Sequence, residues 1–251
     1  MVLFNLLKSV MSDKSDDDVP RYCTAVIVAA GSGKRMKSEE NKQFMKLLGR
    51  PLISYTLESF EECDAVDEIV IVAREEDIVD MKDVVEAFHI EKANKIIVGG
   101  AQRHDSVYNG LLEAAHNTSV VVIHDGARPF VLPVEIEETI RECEKTGAAA
   151  LAVPLKDTVK KVDKNGFVEQ TLDRETIWAV QTPQAFSYDV IKAAYETALE
   201  DKDFGTDDCY VVEKMGRQVK LIEGSYENIK VTTPDDIILA ESILESRGDE
   251  W

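Results

Sequence analysis

The chain predicts an α/β fold: a three-layer, mostly parallel twisted sheet with helices on both faces, plus a projecting β-hairpin arm. Three observations carry this expectation. Short β-branched runs alternate with amphipathic helical patterns from residue 22 onward, the signature of βαβ units. Those runs are apolar nearly throughout, as in strands buried on both faces. The first run then empties into Ala-Ala-Gly-Ser-Gly-Lys-Arg-Met, residues 29–36, at the carboxyl end of a strand, where such sheets bind ligands.

The elements follow in order. Strands are expected at Cys23–Ala29, Glu68–Ala73, Lys95–Val98 and Ser119–Ile123, with helices at Pro51–Cys63, Asp77–His89 and Arg103–His116 between them. Pro51 suits a first helical turn, where an amide hydrogen is not needed. Ala148–Pro154 reads as a further strand. Asp157–Val162 and Phe167–Leu172 then flank Asp163-Lys164-Asn165-Gly166, a hairpin with an Asn-Gly turn. Its polar, alternating flanks bury little against their own sheet; such an arm suits a second subunit or an exposed edge. Thr176–Val180 follows as a strand and Tyr188–Leu199 as a helix, a second helix starts near Thr206, and strands lie around Lys220–Glu223 and Asn228–Val231. The last helix opens Thr233-Pro234-Asp235-Asp236, with Thr233 as cap and acids in the first turn. Residues 1–20 read as a disordered leader and 21–251 as one domain, with the arm at about 157–174.

Composition narrows the partners. A net charge of −19 over 251 residues argues against nucleic acid and anionic membranes, both polyanions. Residues 34–50 run against that background: Lys34, Arg35, Lys37, Lys42, Lys46 and Arg50 face only Glu39 and Glu40. A basic island in an acidic chain points to a small anionic ligand, or to a solvated loop. Cys23, Cys63, Cys143 and Cys209 are widely spaced, which suits buried thiols in the reducing cytoplasm rather than disulfides or zinc. No apolar run reaches the ~18 residues of a membrane span.

Glycines let backbone amides approach phosphate oxygens without a Cβ in the way, and Lys34, Arg35 and Lys42 stand ready to neutralise the charge. The spacing is neither the dinucleotide-binding pattern, which needs a glycine at Met36, nor a P-loop. Gly99-Gly100-Ala101-Gln102-Arg103-His104-Asp105-Ser106 is a second glycine turn opening a helix, able to receive a ribose, base or phosphate. His124-Asp125-Gly126-Ala127-Arg128-Pro129 sets an acid at a strand's carboxyl end, on the same rim, unless it is a plain surface turn. Asp173-Arg174, Gln181-Thr182-Pro183-Gln184, Thr206-Asp207-Asp208 and Asn228-Ile229-Lys230-Val231-Thr232 are polar clusters at strand or loop ends. The four histidines lack metal-ligand spacing, and no Ser or Cys sits in a nucleophile elbow.

Taken in one order, these stretches, with Lys42-Gln43 and Asp157-Thr158, resemble the 2-C-methyl-D-erythritol 4-phosphate cytidylyltransferase family over roughly residues 22–248. The resemblance implies a nucleotide-diphospho-sugar transferase-like fold and transfer of CMP from CTP to methylerythritol phosphate. It implies Mg²⁺, held mainly by the CTP phosphates, and a homodimer joined through the arm. It assigns Arg35 and Lys42 to transition-state stabilisation, and Arg174 and Lys230 to the sugar phosphate, the arginine reaching in from the neighbouring subunit. Ala29, Ala30, Gly31, Ser32, Gly33, Gly100 and Ser106 would hold the nucleotide; Asp125, Arg128, Thr158, Thr182 and Thr206 would line the substrate side. Asn41 departs from the family, which usually has proline there, and is expected to loosen the loop around Lys42. Ribitol-5-phosphate cytidylyltransferase is the related alternative; Ala29-Ala30, Gly126-Ala127 and Leu172-Asp173-Arg174 favour the erythritol enzyme. A non-catalytic nucleotide-binding module would be expected to have lost the cations. A glycosyltransferase would need a well-placed Asp-x-Asp, and Asp16-Asp17-Asp18 and Asp201-Lys202-Asp203 are not.

Overall fold

In the computed structural model of the chain, residues 21–31 and 41–248 are described. The expected leader, residues 1–20, lies outside them. The first apolar run forms β1 (Cys23–Val28), buried at every position. Its side chains alternate across the sheet, as strand geometry requires: Ala25 and Ile27 join the core on one face, Val26 and Val28 the other. β1 runs parallel to β4 (Glu68–Ala73) on one side and to β6 (Val120–Asp125) on the other, with Val28 level with Val72 and Asp125. This register sets Asp125 beside the start of the glycine loop.

Two short strands, β2 (Lys46–Leu47) and β3 (Arg50–Pro51), pair through a turn with positive φ at Leu48 and Gly49. Beyond β4, β5 (Lys95–Val98) closes one edge in parallel. On the other side β10 (Trp178–Ser187) runs antiparallel between β6 and β7 (Ala148–Pro154), and β11 (Lys220–Glu223) adds to β7 in parallel. Among the described residues the order is β11-β7-β10-β6-β1-β4-β5. The α/β expectation holds, with one antiparallel strand inside a mostly parallel sheet.

Helices cover both faces. α1 (Leu52–Glu61), α2 (Ile78–Ala87) and α4 (Pro133–Thr146) contribute Leu57, Phe60, Met81 and Ile140 to one core; α3 (Arg103–Glu113), α5 (Tyr188–Asp201) and α6 (Asp208–Lys214) contribute Leu111, Tyr195 and Val212 to the other. α7 (Pro234–Arg247) packs Ala240 and Leu244 against Leu52 and Tyr55 of α1.

Several elements differ from the sequence reading. α4 was not anticipated, although Pro133 in its first turn, the spacing Ile136, Ile140, Cys143 and left-handed Gly147 after its end all announce it. Asn228–Val231 forms no strand. Its polar groups bond elsewhere: the Asn228 amide donates to Gln181 Oε1 and to the Thr182 carbonyl, and Val231 N donates to Ala127 O. The strand expected at Thr176–Val180 instead continues to Ser187, with a shift of register between Val180 and Gln184 that accommodates Pro183, which has no amide to give.

The hairpin is present as β8 (Lys160–Val162) and β9 (Val168–Thr171), a separate two-stranded sheet with every strand residue exposed. Its turn is not the two-residue Asn-Gly type. Only Gly166 has positive φ, and the Asp163 carboxylate accepts from Asn165 N and Phe167 N at 2.9 and 2.8 Å. The aspartate thereby replaces part of the tight turn with a side-chain bond, and the longer turn follows.

Candidate active site

At the carboxyl ends of β1 and β6 lies a cavity of about 390 Å³, lined by Ala30, Gly31, Lys42, Gly100, Arg103, Ser106, Asp125 and Lys230 among others. The start of the first glycine turn, Ala30–Gly31, meets the second glycine turn here. A Cβ on Gly99 would stand 2.5 Å from the Ala30 Cβ and 2.7 Å from Ser106 Oγ, so this close approach depends on glycine. At Gly100 a Cβ would fall 2.1 Å from that of Asp105. Ser106 Oγ accepts from Gly100 N at 3.1 Å and donates to Gln102 O, and Asp105 caps α3 by accepting from Gln102 N. The turn is therefore held rigid before any ligand arrives. Ala29 N extends the ladder to Val72 O, and among the described residues nothing would stand within 4 Å of a Cβ on Gly31. Ser32, Gly33 and Arg35 lie outside the described residues.

The charges gather around one carboxylate. Lys230 Nζ stands 2.6 Å from Asp125 Oδ2, Arg103 Nε 3.2 Å from Oδ1, and Arg128 Nε 3.9 Å from Oδ2. Burial alone would push the Asp125 carboxyl up, but Arg103 and Lys230 hold it well below the usual carboxylate range. The Arg103 fork also grips Asp208, at 2.9 and 2.7 Å, and Tyr195 OH donates to the same carboxylate at 2.6 Å. Burial opposes the Arg103 charge, and Asp208 and Asp125 more than restore it. Lys42 is buried, its Nζ 3.4 Å from Val231 O.

A buried relay backs this cluster. His124 Nε2 faces the Arg128 carbonyl at 3.1 Å and so carries the hydrogen. Its Nδ1 then accepts from the Thr182 hydroxyl, which itself accepts from Asp125 N at 3.1 Å. Arg128 is anchored by donating to Asn228 O at 2.7 Å.

Sequence-predicted residues divide accordingly. The fold brings Ala30, Gly31, Lys42, Gly100, Ser106, Asp125 and Lys230 around one cavity. Thr182 is buried behind that cavity with its hydroxyl engaged. Thr158 and Arg174 are exposed at the base of the arm, Arg174 donating to Lys156 O, and Thr206 borders a separate hollow with Tyr210. Arg103 and Asp208 were within quoted motifs yet had no assigned role. The signal for Arg103 was its place in the first turn of a helix following two glycines. Among the described residues no group of three His, Cys, Asp or Glu could hold a metal, and no helix is long and apolar enough to cross a membrane.

A glycine-lined, cation-rich cavity at the carboxyl ends of a mostly parallel sheet, in an otherwise acidic chain, defines an α/β nucleotidyltransferase. The family model for IspD, 2-C-methyl-D-erythritol 4-phosphate cytidylyltransferase, matches residues 23–246, and the chain belongs to that family. It is 48% identical over 224 residues to the 2-C-methyl-D-erythritol 4-phosphate cytidylyltransferase of Pelotomaculum thermopropionicum, covering 89% of this chain and 94% of that one. The solved 4-diphosphocytidyl-2C-methyl-D-erythritol synthase of Anaerococcus prevotii matches with a TM-score of 0.81 at 35% identity, covering 90% of this chain and 96% of that one. The 2-C-methyl-D-erythritol 4-phosphate cytidylyltransferase of Thermus thermophilus matches with a TM-score of 0.71 at 28% identity, over 87% of this chain and 96% of that one.

Proposed function

We propose that the chain transfers CMP from CTP to 2-C-methyl-D-erythritol 4-phosphate, releasing pyrophosphate, within one domain spanning residues 21–251. The observation that carries this reading is the set of three cations, Lys42, Arg103 and Lys230, around a cavity bounded by Ala30–Gly31 and the turn at Gly100. A phosphate oxygen of the sugar attacks the α-phosphorus in line, and the bond from that phosphorus to the β-phosphate bridging oxygen breaks. A phosphate monoester near neutral pH is already a nucleophile, so no general base is required. The work is to bring two anions together and to stabilise the charge of the crowded phosphorus. Lys42, with Arg35, is assigned to that charge. Lys230 is assigned to the sugar phosphate and exchanges its bond to Asp125 for one to the incoming anion. The backbone of Ala29–Gly33, with Gly100 and Ser106, is assigned to the nucleotide.

Among the described residues Asp125 is the carboxylate lining the cavity, and it is already shared by cations. Oxygen donors for Mg²⁺ would therefore come mainly from the CTP phosphates, with Asp125 as the protein's contribution; bound there, the ion supplies further charge neutralisation. Arg174, outside the cavity of its own chain, is assigned to a neighbour's site across a homodimer built on the arm. Thr158 at the arm base, Thr182 and Arg128 behind the cavity, and Thr206 beside α6 are assigned to the substrate side. Four buried free thiols fit a cytoplasmic protein.

Pyrophosphate release tests the reading. CTP with methylerythritol phosphate should be turned over far better than ATP, GTP or UTP, and far better than CTP with ribitol 5-phosphate. Preference for ribitol phosphate would replace the acceptor and leave the transfer chemistry standing.

A further inference from the structure

Lys42 rides on a tight turn closed by Phe44 N donating to Asn41 O at 2.9 Å. A cation on such a turn has a fixed place only if the turn itself is tied down. The Asn41 side chain does this in two directions. Its Oδ1 accepts from Gln43 N at 3.2 Å, an Asx-type bond that stiffens the turn from within. Its Nδ2 donates to Asp77 Oδ2, on the 3₁₀ turn that follows β4. Arg74 clamps Asp77 in turn, its Nε and Nη2 donating to the two carboxylate oxygens at 2.5 and 2.8 Å. Asn41 is 8% exposed and Asp77 4%, so these bonds are shielded from water and costly to leave unmade.

We infer that Asn41, backed by Asp77 and Arg74, is a positioning residue for Lys42; this rests on the role proposed for Lys42 above. The loop expected to loosen at Asn41 lies mostly outside the described residues, and in the described turn Asn41 is bonded on two sides. Proline restricts a chain through its own ring. Asn41 reaches a comparable restriction by bonding to another element, which fixes the turn to the carboxyl end of the strand beside β1. Asn41 does not line the cavity, so its loss acts through the placement of Lys42 and not through contacts to substrate. A displacement of about 1 Å in a group that meets the transition state costs up to about a hundredfold in rate.

The test is steady-state kinetics of the full chain with CTP and methylerythritol phosphate. Asn41→Asp keeps the acceptor toward Gln43 but sets a carboxylate against Asp77. It should lower kcat on the order of ten- to a hundredfold, with both KM values nearly unchanged, as for an interaction made only in the transition state. Asn41→Ala carries the same expectation should the buried carboxylate prevent folding. Asp77→Asn places an amide where Asp77 Oδ2 accepts from both Asn41 Nδ2 and Arg74 Nε, and should lower kcat in the same way. In a Lys42→Ala background, Asn41→Asp should cost little more. Wild-type kcat in both Asn41 variants, or a full additional loss on top of a slow Lys42→Ala enzyme, overturns the inference alone. Wild-type turnover in Lys42→Ala overturns the role of Lys42, and this inference with it.

Discussion

Burial pushes the His124 imidazole down to about 3, and its partners explain why the neutral form suffices: one nitrogen donates to Arg128 O while the other accepts from Thr182. In the unfolded chain the same ring titrates near its ordinary value of about 6.5. Between those values the unfolded state binds the extra proton, so stability falls as pH falls, by at most about 1.4 kcal/mol per pH unit. Asp125 has the same sign in a lower window, because its depressed carboxyl loses stabilising charge only below the ordinary carboxylate range. Denaturant midpoints measured at pH 7 and pH 5 should therefore drop more in the wild type than in His124→Asn. Equal drops would mean that His124 is not held neutral by the fold. None of this was legible in the sequence, where His124 and Thr182 stand 58 residues apart. A strand-end acid announces itself locally; the hydroxyl that orients it does not.

At the scale of elements, α3 lies so close to the sheet that a Cβ on Gly110 would stand 2.4 Å from Val26 Cγ1 and 3.2 Å from Val72 Cγ2. Alanine is normally favoured over glycine inside a helix by about 1 kcal/mol, but overpacking a filled core typically costs about 1–3 kcal/mol. Gly110→Ala should thus destabilise the protein by on the order of 1 kcal/mol; a gain in the denaturation midpoint would show that α3 can lift off the sheet freely. The arm gives a second prediction. With Arg174 assigned to a neighbour's site, mixing impaired Arg174→Ala chains with impaired Lys42→Ala chains should raise activity above that of either alone, since the heterodimer holds one site with both residues. No recovery after demonstrated subunit exchange would place Arg174 in service of its own chain. The strands beside the glycine loop were legible because β-branched runs buried on both faces have no polar interruptions. Asn228–Val231 misled because its alternation imitates a strand, while its amides and carbonyls are claimed by Ala127, Arg128 and Gln181.

Across the whole molecule, the candidate site draws on segments near residues 30, 42, 100, 125 and 230. Strand order brings those near 30, 100 and 125 to one rim, and this followed from the sequence, because each trails a strand; the segment near 230 is held there instead by Val231 N donating to Ala127 O and Arg128 donating to Asn228 O. The link from Tyr195 through Asp208 and Arg103 to Asp125 did not follow, because it joins α5 and α6 to the cavity through contacts between residues that are up to 105 positions apart. The same strand order leaves two open margins, β5 and β11, each four residues long. β5 begins with Lys95, and β11 begins with Lys220 and ends with Glu223, so another copy cannot add to either margin without confronting charge. The arm is guarded differently. Its two strands are bare on their outer sides, and Val162, Phe167 and Val168 are 52%, 72% and 59% exposed. In an unpartnered chain, clumping would therefore begin at the arm, and whatever covers the arm would also act as the molecule's protection against aggregation.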